Sequence, residues 1–168
     1  MKQIIKKPVI SMLTLITALA LILATYNLAL AVNKNFKTDM QLIQDFLSQT
    51  DENGTNAEKL GWDIDNIGTW KGAEFVDFEK EKEKEKVIKS LNISGKGKDL
   101  SKKLHGKLDL RSCFALEELI MDDNVIEELD IRGCRSLETL IINNNSLDKL
   151  SESDFPDIDR SNLNIMVL

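Results

Sequence analysis

Leucine spacing constrains the C-terminal half of this chain more than any other feature. Leu108, Leu119, Leu129, Leu140 and Leu150 come in steps of 11, 10, 11 and 10 residues. Leu116, Ile126, Leu137 and Leu147 each stand three residues before one of them. Cys113, Asn124, Cys134 and Asn145 each stand five residues after one. Full equivalence therefore recurs every 21 residues: Leu108 with Leu129, Leu119 with Leu140, Cys113 with Cys134, Asn124 with Asn145. In an L-x-L triplet read as a strand, the first and third side chains share one face and the middle one points away. A unit this short cannot bury its own apolar face, so successive units must stack to make a core. The spacing predicts an α/β-type solenoid, a short coil of mostly parallel β-strands and loops. Asn124 and Asn145 are expected to point inward and satisfy backbone groups of neighbouring loops, because an unpaired buried amide is costly.

The LxxLxLxxN/C pattern resembles the leucine-rich repeat family, in its short class with nested 21-residue repeats. The likeness extends upstream. A helix, Leu60-Gly61-Trp62, Trp70-Lys71-Gly72 and Leu91-Asn92-Ile93-Ser94 are similar to the N-terminal cap of extracellular leucine-rich repeat proteins such as plant receptor ectodomains. Plant caps carry a cysteine pair near the second tryptophan, and this chain has none there. The resemblance implies a helical cap in front of the repeats and a recognition role.

The first thirty-odd residues are of another kind. Lys2, Lys6 and Lys7 precede a stretch from Val9 to Val32 in which charge is absent, and 22 of the first 32 residues are hydrophobic. Ala29-Leu30-Ala31 fits the small-x-small pattern cut by signal peptidase, with cleavage before Val32. The alternative is an uncleaved anchor, since 24 residues suffice to span a bilayer. Under both readings the rest of the chain, from residue 33 on, is exported. Cleavage removes three lysines and no acid, taking the net charge from −6 to −9. The expected organisation is a signal peptide or signal anchor over 1–31, a helical cap over 32–78, a charged Glu/Lys linker over 79–86, and repeats over 87–168.

Within the cap, residues 38–49 read as an amphipathic helix. Thr38 and Gln41 form a capping box, and Met40, Ile43, Phe46 and Leu47 lie on one face. Asp51-Glu-Asn-Gly-Thr-Asn56 is a run of turn formers. Trp62 and Trp70 are expected to pack, as large aromatics do. Glu79 to Lys86 alternates charge without net field and reads as a solvated linker or surface insertion. Leu163, Ile165 and Val167 alternate as one last strand.

The excess of 28 acids over 22 bases argues against a nucleic-acid partner. One histidine and two cysteines leave no set for a metal centre, and no cofactor is implied. Cys113 and Cys134, on adjacent units, are expected to be buried free thiols, because side chains pointing the same way bridge poorly. His105 is expected at the surface. The candidate binding surface comprises the outward Ile120, Asp122, Ile141 and Asn143, with an acid–base grid of Asp109, Arg111, Asp130 and Arg132. The expected function is non-catalytic recognition of a protein or glycan ligand by an exported chain, secreted or on the outer face of the membrane. Membrane contact is expected only if the N-terminal helix is uncleaved, and the alternative is an envelope component held by that helix.

Overall fold

The chain divides into two compact units, Met1–Phe36 and Lys37–Leu168. The computed structural model describes residues 37–80, 83–147 and 164–166, without the side chains of 80, 83 and 164–166. The expected signal segment and residues 148–163 lie outside these. Helix α1 (Asp39–Leu47) starts where the capping box places it: the Gln41 amide donates to the Thr38 hydroxyl and the Thr38 amide to the Gln41 side chain. It buries Leu42, Ile43, Phe46 and Leu47, while Met40 is only half-buried. Strands β1 (Thr50–Asp51) and β2 (Gly54–Thr55) close a small hairpin across the turn-forming run. A second capping box, Thr55 with Glu58, then opens α2 (Asn56–Leu60), and Gly61 ends it at φ 70°. A left-handed C-cap of this kind suits a residue without Cβ. A 3₁₀ turn (Ile67–Thr69) brings Trp70 back onto Trp62. The two indoles are buried and stacked, with centroids 5.6 Å apart and planes 7° apart. The Trp70 ring N–H donates to the Asp63 carbonyl at 2.7 Å.

The next segment is an antiparallel hairpin of β3 (Ala73–Lys80) and β4 (Glu83–Asn92). Residues 79–80 and 83–86, from the segment expected as a linker or surface insertion, pair at its far end. Register explains this. Asp77 faces Lys86, Glu79 faces Lys84 and Lys80 faces Glu83, so unlike charges sit directly opposite. The Lys86–Asp77 pair closes to 2.7 Å. On a helix the same alternation sets like charges four residues apart, which destabilises it, whereas cross-strand unlike pairs favour a ladder.

Five shorter strands complete the described chain: β5 (His105–Asp109), β6 (Glu118–Ile120), β7 (Val125–Asp130), β8 (Thr139–Ile141) and β9 (Asn164–Met166). A five-stranded mixed sheet runs β3-β4-β6-β8-β9, and β5 and β7 form a separate parallel pair. Leu91, Leu119, Leu140 and Ile165 stand in one row of the larger sheet, and Leu108 stands beside Leu129 in the smaller.

The α/β-type solenoid anticipated from the spacing, a short leucine-rich coil behind a helical cap, is not what the chain forms. The described residues make two helices and three small sheets of mixed direction. Two physical reasons account for the difference. The charged segment pairs back on its own chain, so the larger sheet begins with an antiparallel hairpin. Strands β6 and β8 are also only three residues long, so the leucine period is met by brief pairings. The period does place the core correctly: Leu108, Leu116, Leu119, Ile126 and Leu140 have no exposed surface.

Asparagine side chains join these short strands. Asn124 is buried; its amide donates to the carbonyls of Ile93 at 2.9 Å and Met121 at 3.0 Å, and its oxygen accepts from the Leu104 amide at 3.0 Å. Asn145 repeats the arrangement 21 residues on, with Met121 and Ile142 carbonyls and the Ile126 amide. Replacing Asn124 by Ala strands buried donors and acceptors, each costing about 1–3 kcal/mol. Asn124→Ala is therefore expected to lower stability by at least about 2 kcal/mol in urea unfolding; a loss under about 0.5 kcal/mol, the ordinary range for surface changes, would contradict that role.

Candidate functional site

The outer face of the larger sheet is built by default from the residues that the leucines leave over. Leu91, Leu119 and Leu140 point into the core, so their strand neighbours point away. One outward row holds Asn92, Ile120 and Ile141 in parallel register. A second holds Ser90, Glu118 and Thr139, with the Ser90 hydroxyl bonded to Glu118 at 2.9 Å. Backbone hydrogen bonds extend the pairing past the strands, Met121 to Ile141 at 2.9 Å and Asp123 to Asn143 at 3.0 Å. This carries Asp122 and Asn143 along with the isoleucines. Ile120, Asp122, Ile141 and Asn143 are all half-buried. The Asn143 Oδ1 is buried and lacks a hydrogen-bond partner among the described residues.

The second group of expected surface residues sits on the other sheet. Asp109 and Asp130 stand side by side on β5 and β7. Each pairs with the arginine two residues on: Arg111 reaches Asp109 at 2.7 Å, and Arg132 grips Asp130 through Nε at 2.9 Å and Nη2 at 2.7 Å. The cross-strand pair on this face is Lys107 with Glu128 at 2.8 Å. The Arg132 guanidinium holds the Asp130 carboxyl below its ordinary pKa. The grid is thus assembled mainly from local pairs at the end of each strand, and its aspartates lie in a different sheet from the isoleucines.

Cys113 and Cys134 are buried and unbridged. The Cys134 thiol donates to the Leu110 carbonyl at 3.2 Å, and the Cys113 thiol lies near the Asp39 carboxyl. Burial, then the nearby Asp39 charge, pushes both thiols up, Cys134 to about 12. A nucleophilic thiolate needs the opposite surroundings, exposed and electropositive. Asp39 itself is buried in the first turn of α1, where its Oδ2 accepts the Ile88 amide at 3.0 Å; burial raises its pKa.

Sequence reasoning missed one polar cluster. The Lys59 side chain is 2% exposed, and its ammonium donates to Asp51 at 2.5 Å, to the Lys103 carbonyl at 3.1 Å and toward the His105 Nδ1 at 3.2 Å. His105 opens β5 and is half-buried rather than at the surface, with its Nε2 buried and unpartnered among the described residues. Three donated hydrogen bonds offset the desolvation of the ammonium. No spacing rule links residues 51, 59 and 105. Among the described residues, no group of three or more His, Cys, Asp or Glu is arranged to hold a metal ion.

Two measurements check this geometry. Native protein is expected to resist thiol reagents at neutral pH and to label at both cysteines once unfolded; prompt native labelling would show an open, reactive thiol. Asp39→Asn keeps an oxygen for the Ile88 amide and removes the titration. Because folding raises the Asp39 pKa above 3.8, its contribution is full below that value and is lost as pH rises through the folded pKa. The stability of the native sequence relative to Asp39→Asn is therefore expected to fall as pH rises past 3.8; a rise would reverse the assignment. No protein-family model, curated protein sequence or solved structure matches this chain, so the functional reading rests on its own residues.

Proposed function

We propose that the chain is an exported, non-catalytic recognition module that binds a protein partner at or outside the cell surface through the outer face of β4, β6 and β8. The observation that carries this reading is the pair Ile120 and Ile141, side by side on neighbouring strands and only half-buried. Single exposed hydrophobes are ordinary, but adjacent ones on a regular sheet form a patch with a use. The neutral thiols and the closed Asp–Arg pairs support a binding role over a chemical one.

Export is supported by the sequence alone, from the lysines and apolar run of residues 1–32. The 24-residue length of Val9 to Val32 favours a second reading, an envelope component held by an uncleaved helix. N-terminal sequencing of the native protein separates the two: a start at Val32 in the culture medium ends the anchored reading.

The surface itself is tested with Ile120→Glu combined with Ile141→Glu. A charge on each outward position is expected to weaken capture of a purified partner by at least about tenfold, roughly 1.4 kcal/mol, with the circular dichroism spectrum unchanged. Undiminished capture by the folded double variant would remove this face as the interface.

A further inference from the structure

The loop of residues 94–103, between β4 and β5, brings exposed lysines and an exposed leucine together. Leu100 at its 3₁₀ turn (Leu100–Lys102) is 75% exposed, against 40% for Phe78 and Phe114, which at least pack edge-on against each other. Lys96, Lys98 and Lys102 surround it, and none has an ion-pair partner among the described residues. Lys59, Lys86, Lys107, Arg111 and Arg132 all meet carboxylates at 2.8 Å or less, whereas Lys71 and Arg135, far apart in sequence, also lack an ion pair among the described residues. Among the described residues, three ammoniums without ion pairs and the most exposed large hydrophobe thus fall within seven residues of a chain whose net charge is −6.

The loop is also held in place. The Lys98 amide bonds the Gly95 carbonyl at 3.0 Å, and the Lys103 amide bonds that of Leu100 at 3.1 Å. The Lys103 ammonium ties the far end to the Asp123 carbonyl at 2.6 Å. At the near end Gly95 is pressed on the same residue, where a Cβ would come within 2.1 Å of the Asp123 oxygen. A leucine fixed at a turn tip in water, beside the exposed Asp99 that precedes the turn and three lysines, stabilises nothing within the fold. Partial burial, and then the nearby Lys102 charge, even lower the Lys98 pKa.

We propose that this loop seats the protein on an anionic lipid surface, with Lys96, Lys98 and Lys102 meeting headgroup phosphates and Leu100 entering the boundary between headgroups and acyl chains. Clustered lysines are drawn to anionic leaflets and an apolar side chain adds the part that a purely electrostatic contact lacks. Nucleic acid fits less well, because no aromatic side chain stands in the loop to stack a base. The acidic remainder of the chain is repelled by the same surface, which orients the molecule loop-first. This seating is independent of the isoleucine face and of whether the N-terminal segment is cleaved.

The test is hydrogen–deuterium exchange on the full chain, read at residues 94–103, with vesicles containing phosphatidylglycerol and with vesicles of phosphatidylcholine alone. The local readout separates this contact from any insertion by residues 1–32. Exchange in the loop is expected to slow at least about fivefold on the anionic vesicles only, and to recover near 1 M salt, where the screening length is about 3 Å. The protection is expected to disappear in the variant Lys96→Gln, Lys98→Gln, Lys102→Gln and to weaken in Leu100→Ser. Equal protection on neutral vesicles, no protection on either, or protection by soluble polyphosphate but not by vesicles would each overturn the proposal. The native chain on the two vesicle types decides the matter even if a variant fails to fold.

Discussion

Strands three residues long close few ladder bonds, so the turns between them hold many backbone groups that need partners. Asn124 and Asn145 meet that need, and much of the fold depends on them. Each side chain ties the carbonyls of its own turn to a group 19 to 31 residues away in sequence. A buried backbone group left without a partner costs as much as a lost hydrogen bond. With the turns held, the leucines can be delivered to the interior in register, and the short β6 and β8 can act as strands at all.

The outer face is a consequence of that delivery. Once Leu119 and Leu140 are committed to the core, Ile120 and Ile141 have no choice but to face away, side by side. The same alternation sets the Asp109 and Asp130 pair on the smaller sheet, yet the two surfaces differ in kind. The aspartates meet arginines close by in sequence and are closed; the isoleucines are left open. The loop of residues 94–103 is a third kind of surface, in which cations that found no acid gather around one leucine. Its two ends are fixed on Asp123, next to Asn124.

How much of this was legible depended on the range over which each signal acts. The start of α1 was readable because Thr38 and Gln41 lie three residues apart and settle their hydrogen bonds locally. The same signal, Thr55 with Glu58 before Gly61, marks α2 but is masked by the turn formers in front of it. The leucine period located the core and the candidate face, but not the architecture. A period states which residues share an environment; it does not state how long each strand runs or whether a neighbouring segment folds back on itself. The alternating charges of residues 79–86 carried no visible preference until Asp77 was set opposite Lys86 and Glu79 opposite Lys84. His105, expected at the surface, is enclosed because Lys59 comes to it from 46 residues away.

The sequence alone determined the helix start at Thr38, the inward leucines, the equivalence of Asn124 with Asn145 and the outward pair Ile120 and Ile141. These are consequences of short-range periodicity and capping, which act within a few residues and survive any arrangement of the parts. Tertiary structure decided that the charged segment would pair back on its own chain, that the described strands would form three sheets, one of them mixed, rather than one coil, and that Lys59, Asp51 and His105 would meet. It also decided which lysines went unpaired around Leu100. Those outcomes turn on which distant groups compete for one another, and that competition is resolved only when the chain has closed.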